Sequence, residues 1–246
     1  MLVFSMFLPR IGLLFGWVVP HRFIGFQIGG ATAAVLLHGV LTLGLGGTLM
    51  LLGLSVGMGL AVEWVGVRKG WVFGRYRYTH RTGPRLFRSV PVFIPLGWGI
   101  LIYMGFWTAK ALLSTVSKPN PPSAALFIPT AAALVTLWDM AADPLLVREG
   151  AWIWDRRGSY HGIPFSNFIG WFATAYALYA AFLLLAGVTV LETTAGRCIE
   201  SLPVLGFSVF SGVFTAACFE RRMVVPGLAG SACAALGLVL VMIFIF

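Results

Sequence analysis

Residues 23–62 read FIGFQIGGATAAVLLHGVLTLGLGGTLMLLGLSVGMGLAV, without a single Asp, Glu, Lys or Arg. A bilayer-spanning helix takes about 20 apolar residues, so this stretch is too long for one span and fits two. The glycine-rich region 44–47 is the natural turn between them. Outward from it, apolar runs bounded by charge, Pro or Gly predict spans near 2–19, 24–43, 47–67, 90–112, 123–142, 167–191, 203–219 and 224–245. The expected fold is all-α, a polytopic integral membrane protein with seven or eight transmembrane helices forming one membrane domain over residues 1–246. The first run carries Arg10 in its middle and lacks a basic n-region, so it reads as a first helix or re-entrant segment rather than a cleaved signal peptide.

Composition points the same way. The chain is 59% hydrophobic and 10% charged, against roughly 25% charged in water-soluble domains. Disorder, a disulfide scaffold and nucleic-acid binding are excluded together, because they need polarity, many cysteines and a solvated basic face respectively. Cys198, Cys218 and Cys233 have no metal-ligand spacing and read as small packing residues. The net charge of +9 is first a topology signal: with eight spans, 13 of the 17 Lys and Arg fall in loops of one side. The positive-inside rule puts that side in the cytoplasm of a cell-membrane protein. Both long loops, 68–89 and 143–166, lie there, and so do the acidic ends of spans 3 and 5. A site on the cytoplasmic face follows. Apart from Gln27 and His38, the middles of the later helices are largely bare of strong polar groups, and no inverted pair of broken helices suggests a transporter.

Asp139 and Asp143 stand four residues apart, hence on one helix face at the membrane boundary. Two like charges there repel, and burial beside a second carboxylate favours keeping a proton, so the pair offers a general acid. A structural alternative has Asp143 ending the helix before Pro144 and Asp139 pairing with an arginine. Glu63, one turn inside its span, suits either an ion pair with a loop arginine or a catalytic role. In Arg75-Tyr-Arg-Tyr78 an extended backbone sends Tyr76 and Tyr78 to one face and the arginines to the other. Residues 150–167, GAWIWDRRGSYHGIPFSN, combine rings and hydrogen-bonding groups: Trp152, Trp154, Tyr160, His161 and Asn167. An interfacial aromatic belt explains part of this, while rings beside an acid also suit a carbocation. No Walker loop, dinucleotide fingerprint, diiron pattern or His-Glu-x-x-His occurs. No cofactor and no metal are expected.

Five strings resemble the membrane-bound carotenoid biosynthesis family that includes bisanhydrobacterioruberin hydratase and bacterial carotenoid 1,2-hydratases: EWVGVRKG (63–70), FGRYRY (73–78), VPVFIPLGW (90–98), WDMAADP (138–144) and YHGIPFSNFIGW (160–171). Val72, Arg88-Ser89 and His161 depart from the family pattern. The resemblance implies a carotenoid hydratase that adds water across the terminal trisubstituted double bond of an acyclic carotenoid end, giving a tertiary alcohol. Its partners would be a lipophilic polyene substrate from the bilayer, membrane lipids and other carotenoid-pathway enzymes, with no nucleic acid. On this reading Asp139 donates the proton and Asp143 tunes it or orients water, with Glu63, Asn167 and Tyr78 as water holders. Tyr76, Tyr78, Trp98, Trp138, Trp152, Tyr160, His161 and Trp171 are the candidate substrate contacts. Two rivals stand beside it: a Mg²⁺-dependent membrane prenyltransferase or terpene cyclase using the Asp pair as metal ligands, and a non-catalytic transporter or scaffold.

Overall fold

The computed structural model describes residues 24–116, 121–192 and 195–245. Among the described residues six α-helices carry the fold: α1 (Ile24–Lys69), α2 (Phe93–Val116), α3 (Ala124–Arg148), α4 (Phe165–Ala186), α5 (Arg197–Glu220) and α6 (Val224–Ile245). All six are long and apolar enough to cross a bilayer, so the all-α polytopic architecture holds. The count falls below the expected seven or eight for two reasons. The run 2–19 lies outside the described residues, as do Arg10, Arg22 and Lys118, and the two spans read in 24–67 form one element.

That element is broken at Gly44, whose backbone (φ 70°, ψ 169°) leaves the helical region. A Cβ placed on Gly39 would lie 2.6 Å from the Thr48 side chain. Nine residues of straight helix would separate them by about 13 Å along the axis, so the two limbs of α1 fold back on each other at the predicted turn. Helix α2 is the central post, with 78% of its most apolar window buried, against 28% for α1 and α6. The outer helices turn leucine-rich faces such as Leu37, Leu41, Leu45 and Leu49 outward.

Helix α3 runs on to Arg148, through Pro144, and does not stop at Asp143. Proline lacks the N–H that would bond the carbonyl four residues back, and that carbonyl, Met140 O, accepts from the Tyr160 hydroxyl at 2.9 Å. Pro203 inside α5 frees Ile199 O in the same way, and the His38 Nε2–H donates to it at 2.8 Å. With Nε2 protonated, His38 Nδ1 accepts from Tyr103 at 2.5 Å. Near this network Lys110 pairs with Glu200 at 3.3 Å, both buried. Glu200 lies in the first turn of α5 and Lys110 toward the end of α2, so this ion pair sits near the helix ends and not in the middles that the sequence leaves largely bare. Cys218 and Cys233 are buried and Cys198 is exposed.

Two short antiparallel pairings shape the end of the bundle where α1, α3 and α5 finish. Strands β1 (Tyr76–Tyr78) and β4 (Trp152–Trp154) pair antiparallel, with Tyr76 opposite Trp154 and Tyr78 opposite Trp152. Strand β2 (Arg85–Leu86) pairs with β3 (Val90–Pro91). The first pairing joins the two long loops and buries Tyr76 and Tyr78 while leaving Arg77 exposed, as the alternation predicts. Gly170 lets the loop lie directly on α4: a Cβ there would meet Val72 O at 2.5 Å. Each departure from the family pattern includes a residue with positive φ: Val72 (71°), Arg88 of Arg88-Ser89 (58°) and His161 (51°). A proline in place of Val72 could not adopt that backbone.

Candidate active site

A cavity of about 120 Å³ opens at this end, lined by α1 (Glu63), β1 (Tyr76, Tyr78), α2 (Trp98, Leu101), α3 (Trp138, Asp139, Ala142, Asp143), β4 (Trp152, Trp154), α4 (Asn167, Trp171) and α5 (Phe210, Phe214), with Phe73 from the intervening loop. Three carboxyl groups therefore face one chamber. The described lining contains no Lys or Arg.

Each acid has a distinct setting. Glu63, 5% exposed, is met by three donors: the Tyr76 hydroxyl, the Tyr78 hydroxyl at 2.7 Å and the Trp98 indole at 3.1 Å. Burial, reinforced by the Glu63 carboxylate, pushes both phenols well above the usual tyrosine range. They stay protonated and donate. The loop arginine considered as a partner for Glu63 is not used, because β1 turns its tyrosines inward and Arg77 outward.

Asp139 and Asp143, one turn apart on α3, are bridged by one amide. Asn167 Nδ2 donates to Asp139 Oδ2 at 3.0 Å and to Asp143 Oδ2 at 2.7 Å. Trp152 Nε1 holds the other oxygen of Asp143 at 2.7 Å. Asn167 can do this because it sits in the first turn of α4, which enters the bundle beside the end of α3. The alternative in which Asp139 pairs with an arginine is replaced by this bridge.

Aromatic rings make up most of the remaining wall. Trp98 and Trp171 stack at 4.0 Å with planes 10° apart, and Trp138 stacks on Phe210 at 5.3 Å. Phe214 packs edge-on against Trp138, Tyr76 lies against Trp154 and Tyr78 against Trp152. The indole N–H groups of Trp138 and Trp154 are buried with no hydrogen-bond partner among the described residues.

Of the residues singled out from sequence, the structure brings Glu63, Tyr76, Tyr78, Trp98, Trp138, Asp139, Asp143, Trp152, Asn167 and Trp171 to the cavity. It does not bring Tyr160, whose hydroxyl binds Met140 O, or His161, which is exposed in the adjacent turn. Five lining rings stand outside the candidate contacts: Phe73, Phe93, Trp154, Phe210 and Phe214. Phe73 opens the FGRYRY string, and Trp154 lies two residues from Trp152 on a strand, so both could have been placed. Phe210 and Phe214 sit four apart in an ordinary apolar helix, and no sequence signal marks them.

Fold and cavity together define a polytopic membrane protein with an acid-and-aromatic chamber at one end of its bundle. The chain belongs to the carotenoid biosynthesis protein family, whose profile matches residues 26–242. It is similar to the bisanhydrobacterioruberin hydratase of Haloarcula japonica, 31% identical over 110 residues. The match covers 45% of this chain and 36% of that protein, so it spans little more than a third of the relative's length. No solved structure matches the chain.

Proposed function

We propose that this protein is a hydro-lyase that adds water across the terminal trisubstituted double bond of an acyclic carotenoid. The observation that carries this reading is the Asp139–Asn167–Asp143 bridge in an aromatic chamber without a lining cation. Membership of a carotenoid biosynthesis family and the hydratase name of a relative support it.

The chemistry needs three things: an acid in an apolar site, rings around a tertiary cation and one controlled water. Asp139 gives its proton to the less substituted alkene carbon, breaking an O–H bond and forming a C–H bond. The π electrons leave the neighbouring carbon as a tertiary cation, faced by the indole and phenyl walls. Glu63, held by three donors in the arrangement that suits a charged carboxylate, supplies negative charge across the chamber. A water then forms the C–O bond and sheds its proton to Asp143, and a further water carries that proton back to Asp139, since the Asn167 amide only donates to the two carboxyls. The free indole N–H groups of Trp138 and Trp154 offer donors to that water or to the product hydroxyl. An engineered 150 Å³ cavity accepts benzene, so about 120 Å³ suits a branched end group of roughly five carbons rather than a whole polyene. No step draws on a cofactor.

The direct test is expression in a lycopene-producing bacterium. Pigments heavier by one or two waters are expected; unchanged lycopene with well-inserted protein would count against the reading. The metal question separates it from its nearest rival. Protonating an alkene requires no divalent cation, and the described lining has no Lys or Arg to hold a diphosphate. Hydration in isolated membranes is therefore expected to survive EDTA. Complete loss restored by Mg²⁺ would make the Asp pair metal ligands.

The same proposal places the chamber loops on the cytoplasmic face of the cell membrane, from the charge bias of residues 68–88, 148–157 and 221–222. Reporter fusions in loops 68–89 and 143–166 should both read cytoplasmic, and one near residues 118–122 should read the opposite side. Reporters that separate the two long loops would contradict a shared site.

A further inference from the structure

We propose that Tyr160 is a positioning residue for the acid pair: its hydroxyl replaces the backbone hydrogen bond that Pro144 removes from Met140, and so fixes the helical turn that carries Asp139 and Asp143. The activity arm of this inference rests on the hydratase reading; its geometry does not.

In an unbroken α3 the N–H of residue 144 would bond Met140 O. Proline has no such N–H, and its ring presses on that same carbonyl. Met140 follows Asp139 directly and precedes Asp143 by three residues, so the weakened turn is the one that sets their spacing. A carbonyl left unpaired inside the bundle is costly, and a turn lacking its bond is free to tilt. Tyr160 removes both problems by donating at 2.9 Å. It is itself held, through the Ile163 N–H to its carbonyl at 2.8 Å and edge-on packing against Phe168. Phe168 adjoins Asn167 on α4. The same junction thus grips the acids twice, by side chain through Asn167 and by backbone through Tyr160. Burial pushes the Tyr160 phenol up to about 12, which keeps it a donor at ordinary pH. Tyr160 does not line the cavity, so its effect passes through Met140 and not through contact with substrate. Pro203 and His38 repeat the device on α5.

The test is a cycle of Tyr160→Phe, Pro144→Ala and the double variant in the full chain. Tyr160→Phe should lower kcat for lycopene hydration roughly tenfold or more, since small misplacements of reacting groups are expensive, with KM unchanged. Pro144→Ala restores an N–H to Met140 and should stay within a few-fold of wild type. In that background Tyr160→Phe should cost less than about twofold, because the two changes act on one bond. Infrared carboxyl and carboxylate bands, assigned with Asp139→Asn and Asp143→Asn, give a readout that needs no turnover: Tyr160→Phe should shift them and the double variant should restore them. Independent, multiplying losses, a raised KM at constant kcat, or bands unmoved by Tyr160→Phe would each overturn the proposal. Wild-type protein without hydration would sink the hydratase reading, and the infrared cycle alone would then decide the role of Tyr160.

Discussion

Asp139→Asn is expected to abolish detectable hydration while the protein still inserts, purifies as one species and retains bound polyene. General acid catalysis contributes about 10²- to 10⁴-fold, and the substitution removes the transferable proton while keeping shape. It also keeps an oxygen to accept the Asn167 amide that now reaches Asp139 Oδ2 at 3.0 Å, so the bridge has no reason to collapse. Asp143→Asn separates two roles for its neighbour. Both Asp143 oxygens already accept bonds, from Trp152 and Asn167. A group that only tunes Asp139 gives a mild loss, and one that takes the proton of the attacking water gives a loss as severe as that of Asp139. Turnover near wild type in Asp139→Asn, measured per folded molecule, would show that the donor lies elsewhere.

Glu63→Gln is expected to act first on stability. Three buried donors converge on this carboxylate, and each bond to a charged acceptor contributes about 1.5–3 kcal/mol. A glutamine turns one oxygen into an NH₂ group that must face donors. A loss on the order of 2–4 kcal/mol follows, read as a clear fall in Tm in detergent, with part of the hydration activity kept by the folded fraction. A Glu63→Gln protein as stable as wild type and wholly inactive would instead make Glu63 the proton donor and reduce Asp139 to a support.

Local pattern carried the sequence reading a long way. The uncharged run 23–62 points to a turn in region 44–47, where Gly44 breaks the helix; the four-residue spacing puts Asp139 and Asp143 on one face, and the alternation in 75–78 puts Tyr76 and Tyr78 on a common face, which the structure turns inward. What stayed hidden depends on partners far away in the chain. Nothing near Glu63 announces that β1, laid against β4, will bring it phenols rather than a guanidinium. Pro144 looks like a helix end until Tyr160, sixteen residues on, is seen to repair its missing bond. Sequence alone therefore suggests Tyr160 for the wall, whereas it stands behind it. Phe210 and Phe214 reach the chamber only because α5 packs beside α3, and apolar periodicity does not distinguish a chamber wall from ordinary core. The Lys110–Glu200 pair joins α2 and α5 across ninety residues, which no local rule could have matched.

Whether the oxygen of water ends on the tertiary carbon of the terminal double bond of an acyclic polyene can be measured directly. Membranes containing the protein are incubated with lycopene in heavy-oxygen water, and the product is examined by mass spectrometry beside an Asp139→Asn control. One heavy oxygen per hydrated end is expected, retained in fragments that carry the tertiary carbinol carbon, and none in the control. A product without heavy oxygen, or equal labelling in wild type and Asp139→Asn, would contradict the hydratase reading.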